Sequence, residues 1–186
     1  MSTDEKRKFL KSVTVLYDSR EKKNDHILNQ LEDMEIPAVE KKLDYGDYSF
    51  VLGDRDFRQS CVVERKANIN ELYSNITTGR NTFEKEILAG SVLANSFTLF
   101  LENCEDEEGL RSYIVPDWAM LMSPQRKVSA IGKVCYATVK SWEQRYGLRV
   151  KYVPNPSLSA VKMLELFYNY WHSYHKLIAP LTRRTK

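Results

Sequence analysis

The order of apolar and polar residues predicts short strands separated by amphipathic helices. Val13 to Tyr17 is an apolar run of strand length, and apolar residues then recur at helical spacing at Ile27, Leu28, Leu31 and Met34. The same change from strand to helical spacing is repeated further along the chain. Strands that alternate with long helices predict a mixed α/β sheet of five or six strands, flanked by helices.

The remaining elements follow from the same patterns. We predict strands at 13–17, 38–43, 47–52, 58–66, 97–101 and 148–153. We predict helices at 24–35, 129–146 and 157–177, and a helical segment at 70–94 that breaks near Gly79 and Arg80. Gly147 is expected to end the helix before the last strand. The stretch from 102 to 113 is rich in acids and is predicted to be a loop.

The last predicted helix is rich in aromatic residues. Phe167, Trp171 and Tyr174 share one face, which is expected to pack against the sheet. Tyr168 and Tyr170 lie on a second face, for which a dimer interface is an alternative to packing within the domain.

Length and composition fit one compact domain. The chain has 186 residues, of which 42% are hydrophobic, and no linker divides it. We predict a charged N-terminal tail at 1–12, a single domain at 13–178 and a basic C-terminal tail at 179–186. No apolar run approaches the length of a membrane span, and the first residues are polar or charged, so we expect a soluble intracellular protein without a membrane partner.

Net charge and cysteine content say little about the binding partner but indicate the redox compartment. The formal net charge is +3, which in bulk barely favours nucleic acid, although basic residues gather between 126 and 151. The three cysteines are far apart and show no spacing typical of a zinc site or a disulfide framework, as in a protein of a reducing compartment.

Two short motifs carry the candidate chemistry. Gly46-Asp47-Tyr48 precedes the segment Val63-Glu64-Arg65-Lys66, which reads as the end of a strand. Successive residues of a strand point to opposite faces, so Glu64 and Lys66 share one face and Arg65 points to the other. The turn residues Gly53-Asp54 predict that the strand opened by Asp47 turns back beside Glu64. Two carboxylates and a lysine are thus expected to converge.

Converging carboxylates repel each other unless a cation lies between them, and oxygen ligands favour Mg²⁺ or Mn²⁺. A bound cation would polarise a phosphoryl oxygen, while Lys66 would hold the attacking water or offset the charge that develops on the phosphate. The motifs therefore predict metal-dependent cleavage of phosphodiester bonds. The alternative is that Glu64-Arg65-Lys66 is a solvated strand end and that Gly46-Asp47 is an ordinary turn, but the two motifs in this order favour a site.

A third charged motif, Asp18-Ser19-Arg20-Glu21, lies where the first strand passes into the first predicted helix. In α/β proteins, such strand ends are where sites are built. An aspartate at this position is also a common helix N-cap. The additional charges of Arg20 and Glu21, which a cap does not need, favour a functional role.

These motifs, with Glu71 and Gly79-Arg80, resemble in order and spacing the nuclease domain of XPF-type structure-specific endonucleases, including XPF and archaeal Hef. The resemblance is specific between Val13 and about Leu101. It implies a restriction-endonuclease-like PD-(D/E)XK core with a mixed central sheet. It also implies Mg²⁺- or Mn²⁺-dependent cutting of branched, flapped or forked DNA near duplex–single-strand junctions.

The resemblance also assigns roles to residues of this chain. It makes Lys66 the catalytic lysine, Glu21 and Arg65 supporting members of the catalytic site, and the metal-site acids Asp18, Asp47 and Glu64. Arg20 and Arg80 become candidates for DNA contacts. The acid expected after Lys66 is displaced by one residue and is a glutamate, Glu71, whose role is therefore left open.

Partners and alternatives also follow from the resemblance. Family members usually carry a tandem helix-hairpin-helix domain, but this sequence shows no hydrophobic-Gly-hydrophobic hairpins of that kind. DNA affinity is therefore expected from the nuclease domain, from dimerisation or from a separate partner. A homodimer or a heterodimer with a related subunit is expected. A catalytically silent DNA-binding or scaffolding partner of an XPF-type nuclease is the alternative function. The residues alone do not distinguish DNA from RNA or nonspecific end processing.

Overall fold

The computed structural model describes residues 3–115 and 130–178, which form a mixed sheet flanked by helices. The strands are β1 Val13–Tyr17, β2 Ala38–Glu40, β3 Tyr48–Leu52, β4 Arg55–Asp56, β5 Cys61–Lys66, β6 Ser96–Glu102 and β7 Arg149–Val153. The helices are α1 Thr3–Ser12, α2 Asp25–Asp33, α3 Ile69–Thr77, α4 Arg80–Leu93, α5 Glu107–Ser112, α6 Ile131–Tyr146 and α7 Ser159–Ser173. A 3₁₀ turn at Pro156–Leu158 precedes α7, and a π-helical turn at Tyr174–Ile178 follows it. The predicted α/β class is confirmed.

The sheet has the strand order β2-β1-β3-β5-β6-β7, with the short β4 paired to β3. Strand β3 runs antiparallel to both β1 and β5, whereas β5, β6 and β7 run parallel to one another. The antiparallel pairing of β3 and β5 confirms the predicted return of the chain beside Glu64. Strand β4, which is additional to the five or six predicted strands, has only two residues and was too short to be predicted.

The sheet separates two apolar cores. On one face, Val62 and Leu99 pack in a cluster with residues of α3, α4 and α6. On the other face, Val63 and Phe100 pack in a cluster with residues of α1, α2 and α7. Because side chains alternate along a strand, this division continues into the charged end of β5.

Residues 3–12, predicted as part of a charged tail, form helix α1. Phe9 is 1% exposed, and its ring centroid lies 5.4 Å from that of Tyr168. Phe9 and its neighbour Leu10, which is partly buried, are the apolar residues of this helix, and two adjacent residues among charged ones show no helical period in the sequence. The helix buries Tyr168, which is 2% exposed and lies in the core, so this residue is not available to the dimer interface suggested for it. Dimerisation itself stays a prediction.

The prediction of a loop at 102–113 was wrong, because these residues include the end of β6 and the short helix α5. The Asp106 side chain accepts a hydrogen bond from the Gly109 N–H at 2.8 Å and caps this helix. Leu110 is the buried residue of α5, and one apolar residue gives no period to detect. The predicted break near Gly79 is confirmed, since α3 ends at Thr77 and α4 begins at Arg80.

Some predictions concern residues outside the described ranges. These are the basic residues Arg126 and Lys127, the helix start at 129 and the C-terminal tail at 179–186. Within residues 3–115 and 130–178, no helix is long and apolar enough to cross a membrane.

The packing of α1 predicts that Phe9→Ala lowers the free energy of unfolding by about 3 kcal/mol, because it removes a buried ring from a filled core. Urea unfolding followed by circular dichroism measures this loss. The control is Lys8→Ala, which changes an exposed neighbour on the same helix and is expected to stay within about 0.5 kcal/mol of wild type. Equal stability of both variants would show that α1 does not belong to the folded unit.

Candidate active site

Strands β1, β3 and β5 bring the three predicted metal-site acids to adjacent positions in the sheet. The register pairs Tyr17 with Tyr48 and Tyr48 with Val63, so that Asp18, Asp47 and Glu64 follow one another across the three chain segments. The Asp18 N–H donates to the Asp47 carbonyl at 2.7 Å, and the Asp47 N–H donates to the Val63 carbonyl at 2.8 Å. The backbone therefore fixes these positions relative to one another.

Gly46 allows the segment that carries Asp47 to approach β5. Its φ is +70°, a conformation that glycine adopts without strain. A Cβ atom at this position would lie 2.3 Å from Val62 Cγ1 and 3.0 Å from the Val63 carbonyl oxygen. The glycine of the Gly-Asp motif is thus required by space as well as by backbone conformation.

Glu64 and Lys66 lie on the same face of β5, as predicted, and form a buried ion pair. The Lys66 ammonium donates to Glu64 Oε1 at 2.6 Å, and its nitrogen also lies 4.6 Å from the centroid of the Phe83 ring. Glu64 is 3% exposed, and its second oxygen, Oε2, has no hydrogen-bond partner among the described residues. One oxygen of a buried carboxylate is therefore left without compensation.

The electrostatics of this face disfavour negative charge in the absence of a cation. Burial raises the pKa of Asp47 to about 7, although the Lys66 charge and the Arg65 N–H oppose the rise. Burial, and then the charge of Asp47, raise the pKa of Glu64 well above its ordinary value. Glu86 of α4, which was not predicted, adds negative charge to both acids.

The pKa of Lys66 is governed by its neighbours more than by burial. Burial by itself would lower its pKa, but the negative charges of Glu64 and Asp47 outweigh burial and hold the pKa above its ordinary value. The side chain therefore stays protonated and positive at neutral pH.

The unpaired oxygen of Glu64 and the raised pKa values of two neighbouring acids fit a site for a hard divalent cation. Among residues 3–115 and 130–178, no three His, Cys, Asp or Glu side chains form a cluster that could hold a metal. Asp47 and Glu64 are the predicted acids whose charges act on each other, and they are the residues that could hold a cation. A pair of carboxylates fits Mg²⁺ or Mn²⁺, because Mg²⁺ is usually bound by one or two carboxylates and retains several waters.

The Asp18 side chain is occupied differently. Its Oδ1 accepts from the Arg20 N–H at 2.9 Å and from Arg20 Nε at 2.6 Å, and its Oδ2 accepts from the Leu43 N–H at 2.6 Å. Burial would raise the pKa of Asp18, but these hydrogen bonds together lower it. The described residues do not form a cluster of three acids that could hold a metal, and the role of Asp18 as a metal ligand stays a prediction.

Arg65 points to the opposite face of β5, as predicted. Its guanidinium donates to Glu102 at 2.8 Å and to Glu21 at 3.2 Å. The structure thus brings the predicted residues Glu21 and Arg65 together, on the face that does not carry Lys66. Glu102 was not predicted, because its meeting with Arg65 depends on the pairing of β5 with β6 and leaves no local pattern in the sequence.

The other predicted residues lie around this centre. Arg20 is held by Asp18, but its side chain is 61% exposed. Arg80 is exposed at the start of α4, and its Nε lies 3.4 Å from Glu84 rather than beside a site acid. Glu71 accepts a hydrogen bond from the Ala67 N–H at 2.8 Å, and its own N–H donates to the side chain of Asn68, which caps the start of α3. The structure therefore gives Glu71 a local role in the helix.

Comparison with known proteins identifies the family and the fold. A family model of the ERCC4 domain matches residues 17–165. The solved structure of XPF from Aeropyrum pernix superposes with a TM-score of 0.59 at 18% identity, covering 84% of this chain and 61% of that chain. A second structure, XPF from Aeropyrum pernix in complex with DNA, gives a TM-score of 0.58 at 19% identity, covering 86% and 65%.

The chain thus spans less than two thirds of the length of these two solved chains. At such low identity the likeness shows the fold, and it confirms the restriction-endonuclease-like core. The resemblance to XPF-type nuclease domains is confirmed as well. A comparison with curated proteins gives no match.

The charges at this site predict a pH-dependent stability. Asp47 has an ordinary pKa of 3.8 when unfolded and about 7 in the folded protein, so the fold loses stability as pH rises from about 4 to about 7. Asp47→Asn removes this loss while keeping an oxygen that accepts from the Arg65 N–H. Without divalent cations, we expect it to raise the free energy of unfolding at pH 8 by roughly 1 to 3 kcal/mol, and by less at pH 5.

Urea unfolding in EDTA between pH 5 and pH 8 measures this difference. Asp54→Asn, an exposed aspartate in the turn after β3, is the matched control and is expected to show no such trend. A stabilisation of Asp47→Asn that is the same at both pH values would contradict the assignment.

Proposed function

The chain belongs to the ERCC4 domain family, and on that basis we propose that it is a metal-dependent endonuclease that hydrolyses phosphodiester bonds in branched or flapped DNA. The observation that carries the proposal is the buried Glu64–Lys66 pair, which has one unpaired carboxylate oxygen and is affected by the charge of Asp47. A scaffolding role gives no reason to place two acids with raised pKa values side by side, one of them, Glu64, fully buried. DNA as the substrate is supported by the related XPF structure, which is a complex with DNA.

Asp47 and Glu64 are the residues that would hold Mg²⁺ or Mn²⁺. When bound, such a cation supplies positive charge to a phosphoryl oxygen and lowers the pKa of a water molecule. Because both acids have raised pKa values, they release protons when they become ligands, and cation affinity is expected to increase with pH.

Lys66 acts as a positive group rather than as a base. Its raised pKa keeps the ammonium protonated, and its contact with Glu64 at 2.6 Å holds it beside the metal-site acids. From there it donates to a phosphate oxygen or to the attacking water as negative charge develops. The pairing with Glu64 and the packing against Phe83 orient the side chain before substrate arrives.

Two arginines are suited to the DNA backbone. Arg20 is fixed at its Nε by Asp18, while most of its side chain stays exposed. Arg80 lies in the first turn of α4, where backbone N–H groups also favour a phosphate. Both are proposed to contact phosphates of the DNA backbone, which would position the DNA without reading its sequence.

A cleavage assay tests this function directly. Labelled 3′-flap, fork, nicked-duplex and single-stranded DNA are incubated with Mg²⁺, Mn²⁺ or EDTA. We expect branched substrates to be cut with either metal and not with EDTA, and Lys66→Met to lower the rate by roughly 100-fold or more because charge stabilisation is lost. Lys85→Met, an exposed lysine on α4, is the matched control and should cut at the wild-type rate.

Binding of DNA by the wild type without cleavage of any substrate would favour the silent scaffolding partner instead. Cleavage that is equally fast in Lys66→Met would leave the function intact but would refute the role given to Lys66.

Cation binding can be measured without activity. Mn²⁺ is expected to raise the unfolding temperature of the wild type, since a ligand that binds the folded state stabilises it. Asp47→Asn and Glu64→Gln should lose this shift, whereas Lys66→Met should keep it.

Glu71→Gln is the control for the cation experiment, because it also removes an acid while retaining the oxygen that accepts from the Ala67 N–H. Asp18→Asn tests the predicted third ligand: a retained shift would exclude Asp18 from the metal site. A full Mn²⁺ shift in the variant that lacks the Glu64 carboxylate would refute the proposed donor pair.

A further inference from the structure

A second buried charge cluster lies behind β5, on the face opposite Lys66. Arg65 and Glu102 form its centre, and both side chains are buried. This cluster is not part of the surface that would receive a phosphate, so its charges need a separate explanation.

The Glu102 carboxylate joins three elements of the fold. It accepts from Arg65 of β5 at 2.8 Å, from His26 of α2 at 2.9 Å and from the Ser159 hydroxyl at the first residue of α7. Burial would raise the pKa of Glu102, but these three hydrogen bonds together lower it. The group is therefore an ionised anchor between the sheet and both helices of this layer.

Arg65 links this anchor to the candidate active site. Its backbone N–H donates to Asp47 Oδ2 at 2.8 Å, and its two neighbours in sequence are Glu64 and Lys66. A rotation of this residue would re-aim all three groups, because adjacent side chains of a strand turn together.

The end of β5 has backbone support on one side only. Arg65 pairs with Phe100 of β6, whereas the pairing of β5 with β3 is recorded at Tyr48 and Val63 alone. After Val63, the β3 side of the strand is held by the hydrogen bond that the Arg65 N–H donates to the Asp47 side chain. A side-chain anchor is thus placed where the sheet itself constrains the strand least.

We propose that Glu102 is a positioning residue: through Arg65 it fixes the direction in which β5 presents Glu64 and Lys66. The inference rests on the endonuclease function proposed above. His26 and Ser159 hold the Glu102 carboxylate in turn, so that α2 and α7 contribute to the site without touching substrate. Glu21 gives Arg65 a second partner at 3.2 Å and limits the effect of losing the first.

The test compares Glu102→Gln, Glu102→Asp and wild type. Glutamine keeps an acceptor for Ser159 but removes the charge that holds Arg65. We expect kcat to fall by about 10- to 100-fold with little change in KM, since small displacements of catalytic groups are costly. Aspartate keeps the charge on a shorter side chain and should restore part of kcat.

Phe9→Ala controls for a merely structural effect. It weakens the same apolar core without touching the charge cluster, and kcat should stay near wild type at temperatures where both variants are folded. Equal kcat in Glu102→Gln and wild type would overturn the proposal, as would an equal loss in Phe9→Ala.

A second measurement does not depend on cleavage. Amide hydrogen exchange reports the N–H of Arg65, which is held by Asp47, and the N–H of Val63, which lies earlier in β5. We expect Glu102→Gln to reduce protection at Arg65 by tenfold or more, with Val63 unchanged, and Phe9→Ala to show no such selective loss. Unchanged protection at Arg65 would overturn the positioning role whatever the enzyme cuts. If Glu102→Gln selectively loses amide protection at Arg65 but the wild type cuts none of the substrates, the endonuclease function is refuted and the positioning of β5 by Glu102 is supported.

Discussion

The organisation of this domain depends on how the charged end of one buried strand is compensated. A buried charge without a partner costs several kcal/mol, so each charge at the end of β5 needs one. Lys66 pairs with Glu64 on one face, and Arg65 pairs with Glu102 on the other. Alternation along the strand sends the two pairs into different helical layers. The same few residues therefore tie together both cores and the candidate site.

The two faces are not equally compensated. Behind the strand, Glu102 accepts three hydrogen bonds and its pKa is lowered, which is typical of a structural ion pair. In front, Glu64 keeps an unpaired oxygen and Asp47 holds its proton up to about pH 7. The charges behind β5 are paired, whereas the acids in front of it would be stabilised by a further positive charge. Sites that bind and transform ligands commonly show such an imbalance.

The sequence was sufficient for the features that rest on local pattern. Strand alternation separated Glu64 and Lys66 from Arg65, and the spacing of the motifs brought Asp47 beside β5. Contacts between distant segments were missed, because the meeting of Glu102 with Arg65 depends on the register of β5 and β6. Helices α1 and α5 contact the core through only one or two adjacent apolar residues, which show no helical period in the sequence. Of the hydrogen bonds that occupy the Asp18 side chain, two come from the nearby Arg20, but the one from the Leu43 N–H likewise depends on a loop 25 residues away.

The glycine of the Gly-Asp motif, Gly46, matters for the space it leaves rather than for any functional group. The residue contributes no functional group, yet a side chain there would collide with Val62 and displace the loop that carries Asp47. A divergent homologue with every acid intact and alanine before the aspartate should therefore be read as a decayed site. A change of one hydrogen atom to a methyl group at Gly46 would thus disturb the candidate site while every acid stayed in the sequence.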